Sequence, residues 1–241
     1  MKLKILIWLV LPVQFLIAQG SIFDEIAGTI NDLTKISLNI LDISEAEEND
    51  IGIALATEIE SGMKTGSTKK WDVKKIFNKV VKNVSRKNIK YSYKIVSDKE
   101  VNAFAIAGGK VYINTGLLDF VESEDELAFV IAHELAHIDK KHCINKIKLT
   151  YIAGKVNVTL AMLVDAMKSV YDVPFNKYDE FEADDFGVKM MQKAGFNKKG
   201  GIDFFKRLAV YFAESKRDPI NDFVASHPLS LERAKRIEKM K

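Results

Sequence analysis

Three of the four histidines, His133, His137 and His142, fall within ten residues of one another, in a stretch that is otherwise strongly apolar. Leu127, Val130, Ile131, Leu135, Ala136 and Ile138 recur at helical spacing through it. Ser123-x-x-Glu126 ahead of it is the signature of a capping box. The spacing predicts a helix from about Glu124 to about residue 146. A helix this apolar belongs in the interior, where imidazoles and carboxylates need partners. The fold must therefore bring other polar groups inward to meet it. His133-Glu134-Leu135-Ala136-His137 is a complete H-E-x-x-H. Residues i and i+4 share a helix face, so the two imidazoles can take one Zn²⁺ while Glu134 reaches the attacking water. His142 lies five residues past His137, off that face, and reads as a structural histidine bridging nearby groups.

Zinc with two imidazoles and one open position needs a third protein ligand. A second helix is predicted over residues 178–194, stopping at Gly195, and it carries Asp179, Glu180, Glu182, Asp184 and Asp185. Glu180 and Asp184 are i and i+4. Ala183 and Gly187 are small enough to let this helix approach another closely. Spacing alone leaves the choice among the five acids open.

The rest of the chain reads as one α+β unit, mostly helical with a small sheet. Tyr91–Val96, Val101–Ala107 and Val111–Asn114 have strand character, and Gly108-Gly109 between the last two is a hairpin signal. Further helices are predicted over 22–41, 51–62, 71–84, 147–170, 198–215 and 229–240, with an acidic break at 44–50 and a loop at 62–70. The lysines of 71–84 read as a solvated face over a core stripe. Residues 147–170 are interrupted by Lys155, Asp165 and Lys168, which makes them a poor membrane span and a better buried or lid-like helix. With 36 Lys+Arg against 33 Asp+Glu, the charge balance argues against a nucleic-acid partner. One cysteine excludes an internal disulfide, and Cys143 is expected to be buried.

Lys2 and Lys4, the apolar run Ile5–Ala18 and the small residues Ala18 and Gly20 have the layout of a secretory signal peptide. The expected organisation is a signal peptide over 1–20 and a single domain over 21–241, with export and no stable transmembrane segment once the signal is removed. An uncleaved N-terminal anchor is the alternative.

His133-Glu-Leu-Ala-His137, then Glu180-Phe-Glu-Ala-Asp184, then Ser226-His227-Pro228 with Arg233 resemble the zinc metallopeptidase family of HtpX, the CAAX prenyl proteases, BepA and LoiP. Val101–Ala105 with Gly108-Gly109, Tyr112–Leu118 and Ala194-Gly195-Phe196 match in the same order, so the likeness runs over roughly residues 45–240. The resemblance implies a zincin-type fold and one Zn²⁺ per chain held by His133, His137 and Glu180, with Asp184 supporting a zinc-binding histidine. It implies Glu134 as general base, His227 as a transition-state donor or a gate over the metal, and Arg233 as its companion. It also points to Asn102, Ala103, Phe104 and Ala105 as an edge strand that takes an extended peptide. The expected function is an exported, periplasmic metalloendopeptidase acting on unfolded or misassembled envelope proteins, with envelope-associated partners. The alternative is a gated or inactive holdase-like protein that binds unfolded chains.

Overall fold

A computed structural model describes residues 43–154, 174–214, 227 and 230–240. The signal segment, the helix expected over 22–41 and most of that expected over 147–170 lie outside the described residues. From Ile43 onward the contacts form one unit.

Helix α1 (Glu45–Ser61) starts inside the predicted acidic break. The break was the wrong reading of those acids. Ser44 is the cap: its side chain accepts from the Glu47 N–H, and Glu47 accepts from the Ser44 N–H at 2.8 Å. Glu45, Glu47 and Glu48 then sit in the first turn, where the helix dipole favours negative charge. Helix α2 (Val73–Val80) is capped by Asp72 and tightens into a 3₁₀ turn at Val81–Asn83. It buries Val73, Ile76, Phe77 and Val80 and leaves Lys74, Lys75 and Lys79 in solvent.

The sheet has three strands, β1 (Ser92–Val96), β2 (Ala103–Ile106) and β3 (Lys110–Asn114), in the order β1-β3-β2. β1 runs parallel to β3 and β2 antiparallel to it. The β2–β3 turn depends on Gly108 and Gly109, with φ of 76° and 87°. β2 is thus an edge strand. Asn114 N–H bonds to Asn102 O across the ladder, and alternation along the register Ala103↔Ile113 then turns the backbone groups of Ala103 and Ala105 outward. The Cys143 thiol meets the outward Ala105 carbonyl at 3.6 Å, and its sulfur is buried as expected.

The short helix α3 (Thr115–Phe120) is closed by the segment just ahead of α2. Trp71 Nε1 donates to Leu118 O at 2.7 Å, and Lys70 Nζ donates to Asp119 O and Val121 O. Helix α4 (Glu124–Asp139) begins at the Ser123 cap, and every residue from Glu126 to Asp139 is buried. Only half of the predicted capping box forms. Glu126 reaches back one residue further, to the Glu122 N–H, and pairs with Arg207.

α4 also ends earlier than its periodicity predicts. Lys141 turns left-handed, with φ of 65°, and a new helix α5 (His142–Gly154) starts at His142. Side chains from elsewhere make the stop. Arg86 Nη1 donates to Ile138 O, replacing the residue 142 N–H of a continuing helix, while Ser85 and Arg86 N–H groups bond Asp139. Arg86 in turn pairs with Glu45 and Glu48 of α1.

Helices α6 (Lys177–Lys193), α7 (Lys199–Glu214) and α8 (Ser230–Lys239) follow close to their predicted limits, with Gly195 left-handed after α6. α4 is the hub, wrapped by α6, α7, α2, α5 and one face of the sheet. α6 lies against it at Gly187, where a Cβ would stand 3.1 Å from the His133 nitrogen. Among the described residues, no helix is long and apolar enough to cross a membrane. Gly187→Val should force α4 and α6 apart. Thermal melts should fall by several degrees, from a loss of about 1–3 kcal/mol. An unchanged melting temperature would mean the contact is slack.

Candidate metal centre

α4 places His133, Glu134 and His137 in the interior, each with no exposed surface. α6, seated at Gly187, faces them with Glu180 and Asp184, also fully buried. α8 sends in Arg233, and His227 comes from the segment before it. The four side chains His133, His137, Glu180 and His227 converge so that one ligand atom from each lies within 4.8 Å of the others. His133 Nε2 is 3.0 Å from His137 Nε2 and 3.3 Å from His227 Nδ1. Glu180 Oε1 is 2.9 Å from His227 Nδ1 and 3.5 Å from His137 Nε2. Tetrahedral donors about 2.0–2.1 Å from a zinc ion would be roughly 3.3–3.4 Å apart. The donor set therefore fits a metal ion in size and chemistry.

The outer groups tie these donors down. His133 Nδ1 lies 3.1 Å from Asp184 Oδ1. Arg233 grips Asp184 with two bonds of 2.7 Å, lies 2.6 Å from Glu180 Oε2 and donates to His227 O at 3.3 Å. Its guanidinium rests on the Phe205 ring. His137 is stacked on Phe175 at 3.8 Å and meets His142 at its other nitrogen.

The buried charges explain the ionisation. Glu134, Glu180 and Asp184 set three carboxylates against the single guanidinium of Arg233. Burial pushes Glu134 up to about 8. Among the described residues both of its oxygens lack a hydrogen-bond partner, and His227 Nε2, at 3.6 Å, is beyond that reach. Burial would also raise Glu180 and Asp184. The charges of His227 and Arg233 hold Glu180 well below the usual carboxylate range, and Arg233 with His133 holds Asp184 down. Burial and Arg233 oppose charge on His133, yet its bonds to Asp184 and Glu180 raise it to about 9. Burial lowers His137, and lowers His227 to about 4. A divalent cation would offset the two unbalanced negative charges.

All residues singled out for the centre in the sequence therefore meet: His133, Glu134, His137, Glu180, Asp184, His227 and Arg233. Asn102, Ala103, Phe104 and Ala105 lie apart from the donor set, along the sheet edge beside α4. His142 stands off the donor face, as the spacing implied, and bridges His137 to Glu182. The reach of Arg233 to both carboxylates was not legible, nor was Phe175 on His137. Phe175 carried no sequence signal, because its contact depends on how the segment before α6 returns to α4.

The model of Peptidase family M48 matches residues 67–241, and the chain belongs to that family. It is 28% identical over 174 residues to the mitochondrial metalloendopeptidase OMA1 of Schizosaccharomyces pombe, covering 69% of this chain and 51% of that one. It is 26% identical to the beta-barrel assembly-enhancing protease of Escherichia coli K12, covering 58% of this chain and 32% of the relative. Metalloprotease YcaL of the same organism is 26% identical over 210 residues, covering 81% and 80%. The chain thus spans about half of the first of these relatives and about a third of the second.

Metal binding should release protons. His133, raised to about 9, holds a proton at pH 7.5 that the metal must displace, and Glu134 at about 8 is partly protonated. His137, His227 and Glu180, all shifted down, have none to give. Calorimetry of zinc binding in buffers of different ionisation enthalpy should show about one to two protons released. No release would mean His133 is already neutral.

Proposed function

We propose that this M48 family member is a zinc metalloendopeptidase, exported to the cell envelope, that cuts unfolded or misassembled proteins there. The observation that carries the reading is the buried donor set beside a carboxylate whose two oxygens have no hydrogen-bond partner among the described residues. His133, His137 and Glu180 would hold the ion. When bound, zinc supplies Lewis acidity toward a carbonyl and makes water a nucleophile near neutral pH. Glu134 takes the proton of the attacking water and returns it to the leaving amide nitrogen. Asp184 fixes the His133 ring through Nδ1, and Arg233 keeps Asp184 and Glu180 ionised and in place.

We place the substrate as a strand added along Asn102–Ala105, where the backbone of Ala103 and Ala105 turns away from β3; both residues are buried here and the Ala105 carbonyl meets Cys143, so the edge must open to take a peptide. Such binding reads main chain more than side chains, which favours unfolded segments. The envelope location rests on the signal-like residues 1–20 and on the beta-barrel assembly named in one relative.

His227 supports a second, compatible reading. Its Nδ1 lies inside the donor set, 3.3 Å from His133 Nε2, in the region an open coordination position would need. We read it as a gate that keeps basal activity low.

The test is cleavage of an unfolded model protein by the zinc-loaded chain beside Glu134→Gln and His227→Ala. Glu134→Gln should lower kcat by about 10²–10⁴, and His227→Ala should raise basal cleavage. A loss of about 10²–10³ in His227→Ala would instead make it a donor to the developing oxyanion. Equal cleavage by wild type and Glu134→Gln would contradict the role of Glu134. Binding without cleavage by wild type and His227→Ala alike would favour the holdase reading.

A further inference from the structure

His142 is buried at the start of α5, and nothing in the reaction above uses it. Its Nδ1 lies 3.1 Å from Nδ1 of His137. Its Nε2 lies 3.3 Å from Glu182 Oε2 and 3.7 Å from Asp179 Oδ1, both on α6. Lys140 steadies Glu182 from the other side, with Nζ 3.5 Å from Oε1.

Two facing imidazole nitrogens can share only one proton. A ligand imidazole gives a lone pair from Nε2 and must carry its proton on Nδ1. That N–H needs an acceptor, and the atom in front of it is His142 Nδ1. His142 can accept there only if its own proton sits on Nε2, and that is the nitrogen facing two carboxylates. The carboxylates of α6 thus select the tautomer of His142, and His142 selects the tautomer of His137. We propose that His142 is a positioning residue that, backed by Glu182 and Asp179, orients the His137 ring and keeps its Nε2 lone pair aimed at the donor set. α6 then serves both ligand histidines, His133 through Asp184 and His137 through Glu182 and His142. The turn at Lys141 gives this a structural cause. An unbroken α4 would carry residue 142 off the His137 face, and the left-handed Lys141 brings it back.

The inference rests on the metal-centre reading, and the test separates the two. Zinc affinity is measured by chelator competition for wild type, His142→Leu and His142→Asn, with the melting temperature of each metal-free chain alongside. Asn places an acceptor oxygen close to where His142 holds Nδ1, whereas Leu keeps bulk without an acceptor. His142→Leu should bind zinc about 10- to 100-fold more weakly, and Asn should recover most of the loss. Nitrogen NMR of the zinc-loaded wild type should show the His137 proton on Nδ1. Leu as tight as wild type, or Asn as weak as Leu, would overturn the positioning role. A wild-type chain that binds no zinc would overturn the metal-centre reading itself.

Discussion

The molecule depends on how closely α6 can lie against α4. Gly187 has no side chain, and even a Cβ there would press on the backbone at His133. That contact sets Glu180 and Asp184 opposite His133 and His137 at hydrogen-bonding range. Any bulkier residue would widen the gap and draw apart Asp184 and His133, now 3.1 Å from each other, and Glu180 and His137, at 3.5 Å. The site is therefore a product of helix packing, and it inherits the rigidity of the most buried helix among the described residues.

Burial makes that site electrostatically demanding. Three carboxylates, one guanidinium and three imidazoles sit where water does not reach. The structure answers with a connected set of charged contacts in which Arg233 touches Asp184, Glu180 and the backbone of His227. Removing one partner from such a set costs far more than any single contact contributes, since the others are left buried and uncompensated. Burial raises Glu134, and bonds to Asp184 and Glu180 raise His133, so both hold protons that a metal ion would displace. Selection for a cation-binding site and the cost of burying acids thus converge on the same residues.

Much of this was legible because it is local. H-E-x-x-H places its three residues on one buried helix by spacing alone, and Glu180 with Asp184 on the next. The Gly108-Gly109 hairpin was legible for the same reason, since the turn needs residues that accept positive φ. What sequence did not reveal depends on partners far along the chain. α4 stops at Asp139 because Arg86, more than fifty residues away, caps the Ile138 carbonyl, while the Ser85 and Arg86 N–H groups hold the Asp139 carboxylate. The acidic run 44–50 has the charge of a break, but Ser44 with Glu47 is a capping box, and that local pattern starts the helix. The third ligand could be narrowed to five acids from spacing, and only the family resemblance singled out Glu180. The contacts of Phe175, Arg233 and His142 arise from helices returning to the hub and carry no local pattern.

The central claim is that His133, His137 and Glu180 together hold one divalent metal ion. The most direct measurement is a crystal structure of the zinc-loaded chain with diffraction recorded on both sides of the zinc absorption edge. The account predicts one strong anomalous peak per chain, bonded to His133 Nε2, His137 Nε2 and a Glu180 oxygen. No peak, or a peak held by other side chains, would contradict it.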